Sequence, residues 1–126
     1  MASFPRPNLI TNLTASATMV ANQYKAVVLG ASGIALASTG QNAIGILQNA
    51  PISGGVCEIA IVGGGGLAIA GATIAAGNLL EVDSAGLLVH ATGAAENIVA
   101  MALQSAVVND VFAVQVLFDR NASVTV

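Results

Sequence analysis

Three groups of side chains have types and spacings that could do chemistry. The first is Ile59-Ala60-Ile61-Val62-Gly63-Gly64-Gly65-Gly66-Leu67-Ala68, an apolar run that enters Gly-x-Gly-x-x-Ala, with Glu81 and Asp83 further along. In a dinucleotide-binding fold such glycines let the backbone approach a pyrophosphate, and an acid about 20 residues on holds the ribose. The second is Cys57 with His90, a nucleophile and a base if the fold brings them together. The third is Glu81 with Asp83, which share a face of one strand and could give oxygens to Ca²⁺.

Each chemistry needs elements that the surrounding sequence does not supply. A dinucleotide loop needs a helix that starts at the third glycine. Leu67 to Ala76 has no charged or amide side chain for the outer face of such a helix, and Gly71 and Gly77 would weaken it by about 1 kcal/mol each. No third residue is placed to orient a Cys57–His90 pair, and a lone cysteine in an alternating strand reads as a small core hydrophobe. Zinc needs three or four nitrogen or sulfur ligands, and the chain has one His and one Cys. Glu81 and Asp83 read as a solvated strand end leading into a turn. The expectation is therefore no catalytic site, no cofactor site and no metal site.

The apolar residues come in short runs broken by turn residues, which is the pattern of an all-β domain. The segments that read as strands are 24–29, 34–37, 44–48, 56–62, 67–70, 79–82, 87–91, 98–104 and 111–118. Asp83-Ser84-Ala85-Gly86 has Asp and Gly at the first and fourth positions of a type I turn. Ala94-Ala95 could form a helical turn instead.

The chain also resembles itself. Ala17-Thr18-Met19-Val20-Ala21 matches Ala72-Thr73-Ile74-Ala75-Ala76, and Val56, Ile59 and Ile61 match Val111, Val114 and Val116. Between these anchors the displacement drifts by one or two residues, in the turns, where insertions are tolerated. Two half-repeats, about 17–63 and 72–118, with about four strands each, predict a small barrel or sandwich of about eight short strands over residues 17–118. Residues 1–16 fall outside the repeat and read as an extended arm, because Pro5 and Pro7 deny it a helix or a central strand. Residues 119–126 read as a C-terminal tail.

Composition limits the partners. Charged residues are 7% of the 126, against ~25% in ordinary soluble domains. Arg6, Lys25 and Arg120 are scattered along a chain of net charge −3, whereas phosphate binding needs clustered cations. Nucleic acid is therefore not an expected partner. The uncharged stretch between Glu58 and Glu81 is long enough to cross a membrane, but its glycines and its acidic flanks argue against a span. The first residues lack the basic-then-apolar order of a signal peptide, which points to synthesis in a cytoplasm. A surface this poor in charge is expected to be covered by copies of itself or by a larger partner.

The order Tyr24-Lys25-Ala26-Val27-Val28-Leu29, Ala43 to Pro51, Gly54 to Gly63, Ile74 to Leu80, Asp83-Ser84-Ala85-Gly86 and Ala102 to Ala106 resembles the capsid decoration, or cement, proteins of tailed phages. Val108-Asn109-Asp110 departs from that family, which often has glycine before the acid. The resemblance implies a small tulip-shaped β-barrel on the outer surface of an icosahedral head. It implies a homotrimer that bridges neighbouring major capsid proteins and stabilises the shell, without a cofactor. Phe4, Pro5, Arg6, Pro7, Leu9 and Ile10 are then expected to clamp a neighbouring chain. Two alternatives stay open at this point. One is a phage fibre or tail component, and the other is a nucleotide-binding domain that uses Gly63 to Ala68.

Overall fold

Strands form where β-branched and other apolar residues run three to nine long between Gly, Pro, Asn and Asp, which favour turns. A computed structural model describes residues 9–39, 41, 43–91 and 98–119. It is all-β. The strands are β1 (Leu9–Thr14), β2 (Ala26–Gly30), β3 (Gly33–Leu36), β4 (Gly45–Leu47), β5 (Val56–Ala60), β6 (Gly65–Ile69), β7 (Leu79–Val82), β8 (Leu88–His90), β9 (Ile98–Ala102) and β10 (Val111–Asp119). A single 3-10 turn, Val20–Asn22, is the one helical element among the described residues. Ala94 and Ala95 lie outside them.

The strands form two five-stranded antiparallel sheets with the same order, β1-β5-β4-β2-β3 and β6-β10-β9-β7-β8. Each sheet curls until the residue after its first strand bridges the third or its counterpart: Ala15 with Ile34, and Ala70 with Leu88. The two halves share register as well as order. Thr14 opposes Val56 and Ile69 opposes Val111, the same pair displaced by 55 residues. Ile46 opposes Ala60 and Met101 opposes Gln115, again 55 apart. Ala26 and Leu79, which oppose Ile46 and Met101, are 53 apart.

The structure differs from the sequence reading at the N-terminus. Leu9–Thr14, read from sequence as part of an arm outside the repeat, is β1 and occupies in the first half the place of β6 in the second. With β6, which falls between the two expected half-repeats, it gives each half a fifth strand, so the described residues hold ten strands where a barrel or sandwich of about eight was expected. The alternation was hard to see because a bulge between Ile10 and Leu13 shifts the register.

The turns repeat too. Gly54 has φ +77 and its counterpart Asn109 has φ +71. Their N–H groups donate to Ala15 C=O and Ala70 C=O, at 2.9 and 2.8 Å. The left-handed conformation suits Gly, and Asn tolerates it better than other residues with a Cβ. Asn109 therefore fills the glycine position that the sequence comparison found changed.

Inside each curl the side chains correspond one for one. Leu13, Ala15, Met19, Val27, Ile34, Leu47, Cys57 and Ile59 pack together in the first half. The second half places Ala68, Ala70, Ile74, Leu80, Leu88, Ala102, Phe112 and Val114 at the same register positions. Where the first half has Cys57 opposite Leu13, the second has Phe112 opposite Ala68. A large ring is matched by a small partner across the sheet, as close packing requires.

The other face of the first sheet joins the halves. Ala26, Ile46 and Ala60 form a row across β2, β4 and β5 and pack with the second-half core. Ala26 N–H donates to Gly86 C=O at 2.9 Å, and Ile69 N–H donates to Tyr24 C=O at 3.1 Å. No helix among the described residues is long and apolar enough to cross a membrane.

Candidate interaction surface

The glycine run is a strand, not a phosphate loop. Gly65 and Gly66 begin β6 and pair with Gln115 and Val114 of β10. The side that a phosphate would need is filled by Gln48. Its Nε2 donates to Leu67 C=O at 3.0 Å, and its Oε1 accepts from Leu67 N–H at 3.1 Å. A Cβ on Gly66 would lie 3.0 Å from the Gln48 amide and 3.0 Å from the Ala60 methyl. The glycine is thus explained by close approach of the first half, and the nucleotide-binding alternative falls with the strand assignment.

Cys57 and His90 are not brought together. Cys57 is buried inside the first curl, and burial pushes its thiol up from the ordinary value. His90 ends β8 in the other sheet and is exposed. Asp83 is committed to its turn: Oδ1 accepts from Ala85 N–H at 2.8 Å and from Leu87 N–H at 3.0 Å. Among the described residues no group of three His, Cys, Asp or Glu side chains could hold a metal ion.

The exposed surface is notable for apolar residues at turns. Ile52 (67% exposed) and Val56 (52%) flank the turn before β5. Val107 (56%) and Val111 (50%) take the same places before β10, displaced by 55 residues. Val20 stands beside the first pair, since Met19 N–H donates to Pro51 C=O at 2.8 Å. Beside the second pair is an open cleft of about 420 Å³ whose lining includes Thr73, Ala75, Ser105, Val107 and Asp110. Two of its polar side chains already serve the backbone. Ser105 Oγ accepts from Ala76 N–H at 3.2 Å, and Asp110 Oδ2 accepts from Val107 N–H at 3.0 Å. These surfaces offer apolar contact area and little that would recognise a charged small molecule.

The sequence-expected clamp is divided by the structure. Phe4, Pro5, Arg6 and Pro7 lie outside the described residues. The backbones of Leu9 and Ile10 oppose Ala60 and Ile59 within the first sheet. The exposed turn residues escaped sequence reading because valine beside a turn looks like a strand end. Their recurrence at 55 residues was the available signal.

No protein-family model matches the chain, and no curated protein matches it. Among solved structures it is similar to the N base of the head fiber gp8.5 of bacteriophage phi29. The TM-score is 0.65 at 15% sequence identity, and the match covers 90% of this chain and 96% of that one. At this identity the likeness establishes a shared fold.

Proposed function

We propose that this chain is a non-enzymatic structural component of a phage virion that decorates the outside of an icosahedral head and bridges major capsid proteins. The observation that carries the reading is the fold shared with a phage head fiber base over nearly the whole chain. The sparse charge and the exposed apolar turns support it, because they suit a protein whose surface is covered in an assembly. The mechanism is passive. A protein that binds the assembled shell and not its free subunits stabilises the shell by mass action, by about 2.7 kcal/mol per site at one hundred times Kd. The resemblance to cement proteins adds a homotrimer as the bound form. Residues Phe4 to Pro7 remain the proposed clamp on a neighbour. Their test is deletion of residues 2–8, since a longer deletion would remove β1.

The description of the phi29 protein favours a second reading, the base of a fibre that projects from the head. Immunogold electron microscopy of intact particles of the encoding virus separates the two. Label spread over the whole shell supports decoration. Label on projecting fibres supports the second reading, and particles without label overturn both.

A further inference from the structure

The two halves are joined by unlike surfaces, and each half keeps the surface that the other has used. The first half contributes a sheet face, the row Ala26–Ile46–Ala60, all 2% exposed or less. The second half contributes a strand edge, where Ile69 N–H is taken by Tyr24 C=O and Leu67 by Gln48. The equivalent face of the second half is the row Leu79–Met101–Gln115, and at the position of Gln48 it has Leu103. These side chains are half-buried, and Leu103 is 50% exposed. The equivalent edge of the first half is β1, where Asn12 and Thr14 are exposed. Among the described residues, none outside its own sheet bonds the Thr14 N–H that corresponds to that of Ile69.

We infer that this open face binds the β1 edge of a second copy, repeating between chains the contact that joins the halves within a chain. The occupant follows from continuity with the internal interface. A face that packs on an edge inside the molecule has its counterpart left open, and so has the edge. The contact is head-to-tail, so each chain gives one face and one edge, and successive copies close into a ring when the rotation permits. With Leu103 in place of Gln48, the contact between chains has no counterpart of the amide clamp within the chain. The inference concerns the isolated chain and does not depend on binding to a phage head.

The test is the solution mass of the purified chain by light scattering, with variants of each surface. Leu103→Asp alters the face, and Asn12→Glu with Thr14→Glu alters the edge. Gln115→Arg, on the same face, replaces Leu103→Asp if circular dichroism shows that variant unfolded. The wild type is expected as a discrete species of three or more chains. Each variant alone is expected near the 12.3 kDa of one chain. An equal mixture of the two is expected to form two-chain complexes, because one intact face meets one intact edge. A monomeric wild type overturns the inference, and so does an edge variant that keeps the wild-type mass.

Discussion

The two halves have the same strands in the same order, yet they differ in what their side chains face. In the first half the row Ala26–Ile46–Ala60 is fully covered. In the second the matching row is Leu79–Met101–Gln115 and remains partly open. Inside, Cys57 stands where Phe112 stands. One backbone plan thus carries two solutions of packing, and the differences show which positions hold the fold and which look outward.

The interior comparison breaks most severely at Phe112. Phe112→Ala should cost about 3–5 kcal/mol in urea unfolding, since the small Ala68 opposite it cannot fill the space left by the ring. Cys57→Ala, at the matching position, should cost far less because fewer atoms are removed. Equal losses would mean that the two interiors are not packed as described.

The joining contact comes next. Gln48→Ala removes both bonds to Leu67 and should cost about 1–3 kcal/mol. Leu103→Ala, its counterpart on the open face, should leave the stability of the monomeric chain nearly unchanged. Gly66→Ala should fall with Gln48→Ala, since its methyl would press on the same amide. A double variant less destabilised than the sum of the singles would locate both effects at one contact.

A smaller effect is expected at the matched turns. Asn109→Ala should cost about 1 kcal/mol for its left-handed backbone, and Asn109→Gly should be neutral or slightly stabilising. Denaturant midpoints would read both.

The smallest effect is that of pH on Cys57. Its thiol is raised by burial, so the folded state keeps the proton that the unfolded state loses. The stabilisation is complete below the ordinary thiol range. It declines as pH rises through that value toward the raised one. The matching expectation is that Cys57 resists alkylation in the folded protein at mildly alkaline pH and reacts after denaturation. Rapid alkylation without unfolding would contradict its burial.

Much of this was legible in the sequence, for identifiable reasons. Short apolar runs bounded by turn residues located nine of the ten strands among the described residues, because period-two burial leaves a direct trace. β1 was missed because its bulge interrupts the alternation and Pro5 and Pro7 precede it. The glycine run misled as a motif, and it was the absence of a polar helix face after Gly66 that argued for a strand. Gln48 could not have been found from local pattern. Its partner lies 19 residues away in the chain, and only the docking of the halves creates the contact. The exposed turn residues were hidden for a similar reason, since burial is a property of the folded chain.

The most direct test of the proposed role is sedimentation of intact heads of the encoding virus, lacking this protein, with the purified chain at low and high salt. Binding through apolar surfaces with few charges should be saturable and nearly independent of salt. It should be absent with dissociated capsid subunits. Failure to sediment with the heads, or binding that disappears as salt rises, would contradict the role proposed for this fold.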